Sequence, residues 1–200
     1  MANSRSRSDT RRTTFASELP GKKHMDTSTE VADQQFLSFQ IAGEEYAARI
    51  LRVREIIEYG VVTRVPTTPP WVRGVLNLRG GVVPVIDLAV KFGLPPGEIT
   101  ARTCIVIVEV GLGGETALMG VVADAVSQVM EVQPQDVEPP PSFGTRVRIE
   151  YLKGMAKADK KFVLLLDIDR VLSSDELVGV AGTIQGASAS GGPESLSAER

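Results

Sequence analysis

Four aspartates, Asp87, Asp124, Asp167 and Asp169, are the side chains of this 200-residue chain best suited to chemistry. Each follows aliphatic residues, and paired carboxylates can share a proton, work as acid and base, or hold a hard cation. The rest of the catalytic repertoire is thin. The one histidine, His24, lies in a Ser/Thr/Arg-rich stretch, so no histidine-based acid–base pair or triad is available. The one cysteine, Cys104, sits in the apolar run 103–108 and reads as a small buried hydrophobe rather than a reactive thiol. No Cys/His cluster has zinc spacing. Gly111-Leu112-Gly113-Gly114 lacks the Lys and Ser/Thr of a phosphate loop and reads as a hairpin turn. Asp87 and Asp167 each end a strand-like run just before a one-turn amphipathic pattern, a position where aspartate caps a helix. Asp124 reads as exposed or as bonded to a turn. These residues form no catalytic constellation, and no enzymatic activity, metal or cofactor is expected.

A cation is more informative. Residues 71–88 read as two apolar strands joined by a Gly80-Gly81 turn, with Arg79 at its mouth. Alternation puts Val72, Gly74, Leu76 and Leu78 on one face, and Arg73, Val75, Asn77 and Arg79 on the other. In that register Pro84 would face Asn77 at a hydrogen-bonded pair, where proline has no N–H to give. A different register, an edge strand or a bulge would each resolve this. Arg79 is either a solvated tip, a partner of Glu55 or Asp87 in an ion pair, or a contact residue beside Val53, Ile56 and Val75.

The elements that position these residues occur twice. Trp71-Val72-Arg73-Gly74 is matched by Tyr151-Leu152-Lys153-Gly154, 80 positions later. Thirteen residues past each glycine stands an aspartate, Asp87 and Asp167. Val53-Arg54-Glu55-Ile56-Ile57 is matched by Val126-Ser127-Gln128-Val129-Met130 at an offset of 73. The seven-residue difference fits extra residues in the proline-rich stretch 137–144. Two copies are too few for a solenoid, so the pattern implies two related β-subdomains packed as one unit.

Composition agrees. Hydrophobic residues make up 42% but aromatics only 5%, so the core is Val, Leu and Ile, which favours β structure. Net charge is −3, which argues against nucleic-acid binding by the body of the protein. No apolar run reaches the ~18–20 residues that span a bilayer. Residues 1–33 read as a disordered basic arm, with six Lys or Arg against two acids over 1–23. Strands are expected at 36–41, 61–65, 102–110, 117–122, 145–150, 152–158 and 161–167, and a return strand from Tyr46. A short helical turn is expected to lead from Ile50 into a strand through Ile57. A short helix is expected near 168–178, followed from Gly179 by a flexible Gly/Ala/Ser tail.

The run Val65-Pro66, Pro70-Trp71-Val72-Arg73-Gly74-Val75-Leu76-Asn77-Leu78-Arg79-Gly80 and Val83-Pro84-Val85-Ile86-Asp87-Leu88 resembles the signature of CheW-like domains. So do Val53-Arg54-Glu55-Ile56, Gly120-Val121-Val122-Ala123-Asp124-Ala125-Val126, Gly154-Met155-Ala156-Lys157 and Leu164-Leu165-Leu166-Asp167-Ile168-Asp169. The resemblance covers roughly residues 34–173. It implies a mainly β fold of two pseudo-symmetric five-stranded SH3-like β-barrel subdomains with short helices and a C-terminal helix. The copies would span about 34–100 and 101–173, with exchange of strands between them allowed. It also implies a non-catalytic cytoplasmic adaptor coupling methyl-accepting chemoreceptors to the histidine kinase CheA. Such an adaptor pairs with the kinase's own CheW-like regulatory domain and with other CheW-like domains in array rings. Its membrane association is indirect, through receptors. The positions matching the family's receptor contacts are Ile50, Val53, Glu55, Asn77 and Arg79; kinase contacts are not assigned to residues. Gln128, where the family pattern carries glutamate, and the proline-rich insertion at 137–150 are departures. Two other roles compete: an adaptor of a parallel chemosensory pathway that does not control motility, and a small-barrel nucleic-acid binder using the basic arm.

Overall fold

A computed structural model describes residues 33–112, 114–140, 146–158 and 161–172. The expected basic arm, apart from its last residue Asp33, and the flexible tail lie outside these residues, as do His24 and Asp159. The chain runs β1 (Gln35–Ile41), β2 (Glu44–Arg49), a 3-10 turn (Ile50–Arg52), β3 (Val53–Glu58), β4 (Val72–Leu78), β5 (Gly81–Ile86) and α1 (Leu88–Lys91). It continues through β6 (Cys104–Leu112), β7 (Glu115–Ala123), β8 (Ala125–Glu131) and β9 (Val137–Glu138). A 3-10 turn (Ile149–Tyr151), β10 (Leu152–Ala158), β11 (Lys161–Leu166) and α2 (Ile168–Leu172) close the described part. No described helix is long and apolar enough to cross a membrane.

Two sheets form, in the orders β8-β1-β2-β11-β10-β9 and β3-β6-β7-β5-β4. They are copies of one plan. Val85 pairs with Gly120 across the parallel β5–β7 contact, and Leu165 pairs with Ala47 across β11–β2. Val106 faces Ile56, and Leu37 faces Val129. The sixth strand of the first sheet, the two-residue β9, corresponds to a single bridge between Thr63 and Val75 in the second. Each sheet therefore takes strands from both sequence copies: the β1–β2 hairpin joins β8–β11, and β6–β7 joins β3–β5. The duplicated mainly-β architecture agrees with the sequence reading, with one sheet reaching six strands through β9.

The apolar runs are continuous rather than alternating because both faces of the central strands are buried. On β6, Ile105 and Ile107 point into the core of their own sheet with Leu76, Val83, Val85 and Val122. Val106, Val108 and Val110 point the other way. On β11, Val163 and Leu165 join Phe36, Ala47, Val132 and Ala156, while Leu164 and Leu166 point outward from that core. The outward sets meet Phe39, Tyr46, Leu88, Phe92, Tyr151 and Leu172 in one larger core between the sheets. Each barrel thus has a small private core, and the main core is shared.

Three expectations need correction. Residues 61–65 form no strand; only Thr63 bridges, because the prolines that follow supply no N–H for a ladder. Residues 146–150 are also not a strand: the chain enters β10 through the 3-10 turn at Ile149–Tyr151. The strand at 104 runs on to Leu112 rather than turning at Gly111. The expected helical turn at Ile50 leading into β3 is present, as is the C-terminal helix over the part described.

Candidate partner-docking site

The carboxylates that opened the sequence reading are built into the frame. The Asp87 side chain caps α1 by accepting the Val90 N–H at 3.1 Å, and its other oxygen takes Arg73 Nη2 at 2.7 Å and Nε at 2.9 Å. Asp167 repeats the arrangement: it accepts the Arg170 N–H at 3.2 Å, with Lys153 Nζ at 3.8 Å. Each aspartate also gives its own N–H to the carbonyl of the motif's aromatic residue, Trp71 or Tyr151, at 2.8 Å. The shared pattern of aromatic, aliphatic, basic, glycine, then aspartate is therefore a staple between strand and helix. Asp124 accepts the Ala42 N–H at 2.7 Å and holds the β1–β2 turn. Cys104 is buried, and burial raises its thiol pKa, in line with the inert reading.

The hairpin tip differs from its expected register. Leu78 faces Gly81, so the turn residues are Arg79 and Gly80, with φ of 53° and 90°. Asn77 explains the choice: its Oδ1 accepts the Gly80 N–H at 2.9 Å and ties the turn down. In this register Pro84 faces Val75, whose N–H and C=O both bond Thr63 on the far side. That pair needs no proline N–H, which removes the conflict.

The sheet curls until β3 lies beside the hairpin tip, and Arg79 Nη2 meets Glu55 Oε2 at 2.9 Å. Of the three readings of Arg79, the ion pair to Glu55 forms and the one to Asp87 does not. Arg79 is 81% exposed, so the pair contributes only about 0–1 kcal/mol to stability. Both side chains line a groove of about 430 Å³ across β3, β6 and β7. Sequence reasoning missed two features of its rim, the Arg54–Glu109 ion pair and the exposed Leu118. Arg54 was adjacent to a marked residue, but its β6 partner needed the β3–β6 pairing. Of the expected contact residues, the structure joins Glu55 and Arg79, with Asn77 serving the turn beneath them. Ile50 and Val53 do not line this groove; they are half-buried against the shared core just up the chain.

A counterpart groove of about 450 Å³ lies on the other barrel, where Ser127 and Gln128 replace Arg54 and Glu55. The 73-residue offset could have found it. Lys161 and Met130 line it, and among the described residues its lining shows no counterpart of the Arg54–Glu109 and Arg79–Glu55 ion pairs. The two grooves are similar in volume and differ in the charged residues that line them. Such a frame can hold two partners by docking.

Comparisons place this geometry among known proteins. The family model for the CheW-like domain matches residues 35–176. The chain is 37% identical over 148 residues to the chemotaxis protein CheW of Klebsiella aerogenes, covering 74% of this chain and 87% of that protein. It is 30% identical over 151 residues to Protein FrzA of Myxococcus xanthus, covering 74% and 91%. The crystal structure of the scaffolding protein TtCheW from Thermoanaerobacter tengcongensis superposes with a TM-score of 0.64 at 28% identity, covering 79% of this chain and 96% of that one. By sequence and by fold, the chain belongs to the CheW-like domain family.

Proposed function

We propose that this protein is a non-catalytic adaptor of bacterial chemotaxis signalling that couples methyl-accepting chemoreceptors to the histidine kinase CheA. Its setting is the cytoplasm, with membrane contact only through receptors. Family membership and relatives named chemotaxis protein CheW support the reading. The observation that carries it locally is the pair of grooves, one on each barrel, with Glu55 and Arg79 lining the first, while Asp87 and Asp124 are engaged in structural bonds elsewhere. Glu55 and Arg79 mark the receptor-facing groove, with Ile50 and Val53 up the chain and Asn77 under the tip. A helical-hairpin tip fits a groove of this kind through a few apolar anchors and a charged rim. Individually weak contacts become firm when many adaptors sit in one array.

The test is reconstitution of receptor, kinase and adaptor. Addition of this protein raises receptor control of kinase autophosphorylation, and pull-downs recover both partners. An adaptor that binds neither, while remaining folded, removes the proposal. A second reading stays within the family, an adaptor of a parallel chemosensory pathway that does not control motility; the relatives include Protein FrzA, which is not named for chemotaxis. Deleting the gene separates the two: loss of chemotactic spreading supports the first, and normal spreading the second.

A further inference from the structure

One carboxylate binds three segments that are far apart in sequence. Asp169, in α2, takes Arg52 Nη2 on one oxygen at 2.5 Å and accepts the Gly111 N–H on the other at 3.0 Å. The first contact joins residues 117 apart and the second 58 apart. Arg52 ends the 3-10 turn Ile50–Arg52, and the next residue, Val53, opens β3 with its N–H bonded to the Ile50 carbonyl. The C-terminal helix therefore fixes the phase in which the chain enters the strand carrying Glu55.

The duplication shows that the fold itself does not demand this tie. The repeat equivalent of Arg52 is Ala125 and that of Asp169 is Ala89, so the barrel that contains β8 has no such pair. At its matching junction the chain passes from β7 to β8 through Asp124 without a 3-10 turn, and Asp124 bonds Ala42 instead. The bond occurs only on the barrel whose groove carries Glu55 and Arg79.

We infer that Asp169 and Arg52 are positioning residues for receptor docking, holding the 50–52 turn so that Glu55, three residues on, meets the partner in register. The inference rests on the receptor reading of this groove. Neither residue need touch the receptor. Asp169→Asn keeps an oxygen for Gly111 and removes the charge that holds Arg52. Arg52→Gln removes the cation, and Arg52→Lys keeps it.

The experiment titrates full-length variants with a soluble receptor fragment containing the cytoplasmic hairpin tip, and measures thermal unfolding of each variant in parallel. Asp169→Asn and Arg52→Gln each weaken binding by about three- to tenfold, and the double variant is no weaker than the worse single one. Arg52→Lys recovers most of the affinity. Wild-type affinity in both single variants, with Arg79→Ala impaired, overturns the inference and leaves the groove reading standing. Additive losses in the double variant, or losses that merely follow falling thermal stability, overturn it too. Wild-type affinity in Arg79→Ala removes the groove reading, and the inference falls with it.

Discussion

Arg79 holds a left-handed backbone conformation that non-glycine residues seldom adopt, and its guanidinium remains four-fifths exposed. Replacing it with alanine keeps the same backbone demand and removes only the weak pair with Glu55. Arg79→Ala should therefore shift the unfolding temperature by no more than about 2–4 °C. If the groove docks receptors, the same change weakens binding to a receptor fragment by about tenfold or more, the scale of an interface hot spot. Equal affinity for the two proteins would remove Arg79 from the site. Val53→Arg would be a poorer probe, because Val53 is half-buried against the shared core and a cation there would cost folding as well as binding. Two other residues set a pH response. Burial raises the pKa of Cys104, and burial together with Glu44 raises that of Tyr46, whose hydroxyl donates to Glu44 at 3.0 Å. Both groups are neutral when protonated and ionise more readily in the unfolded chain. The stability they contribute is complete below the unfolded values of about 8.5 and 10, and declines as pH rises above them. Urea midpoints should fall progressively above about pH 8.5. A flat profile to pH 11 would refute the assignment.

Among the elements, the β4 and β10 strands show why the repeated motif contains glycine. A Cβ on Gly74 would lie 2.1 Å from the Thr63 carbonyl oxygen, and one on Gly154 would lie 2.5 Å from Val137 and 2.6 Å from the Glu138 carbonyl. In both barrels a crossing segment passes directly over the strand at this point. Gly74→Ala should cost about 2–4 kcal/mol, because backbone must move. Gly43, with a positive φ but nothing within 4 Å, should cost only about 1–2 kcal/mol. Urea denaturation of the two variants, with similar losses in both, would show that the crossing carries no weight. These positions also show how far sequence reasoning reached. The duplication, the aspartate caps and the helical turn before β3 were legible because local chemistry decides them: an aspartate before a helical turn, an aliphatic period, a basic residue at fixed spacing. The hairpin register was misplaced by one residue because Asn77 reaches the Gly80 N–H, a side-chain bond that composition does not announce. The strand at 61–65 failed because the prolines from Pro66 onward supply no N–H, so pairing with β4 stops at the single Thr63–Val75 bridge. In the groove, Glu55 and Arg79 were legible as a charge pair, but Glu109 and Leu118, more than 50 residues from Glu55, came into place only through β6 and β7.

For the whole molecule, the decisive feature is that neither sequence copy owns a complete sheet. The β1–β2 hairpin lies between β8 and β11, and β6–β7 lies between β3 and β5. Cutting the chain between the copies, within 95–101, removes no strand, because α1 ends at Lys91 and β6 begins at Cys104. Yet it leaves each half with an interrupted sheet and with one side of the shared core, including Phe39, Tyr46 and Val106, open to water. A half that exposes strand edges and apolar surface together is unstable and prone to associate. Fragments 34–100 and 101–173 should therefore show no cooperative unfolding when expressed separately. Mixed in equal amounts they should regain β structure and a cooperative transition, because the pairings re-form between chains as they do within one. The groove that holds Glu55 and Arg79 makes the same demand, since β3 and the hairpin tip come from the first half while Glu109 and Leu118 come from the second. Receptor binding should return only on mixing. Circular dichroism, calorimetry and receptor-fragment titration of the halves and their mixture test this together. A half that folds alone with a sharp transition would mean that the two copies are independent units and that exchange of strands contributes little to the stability of the fold.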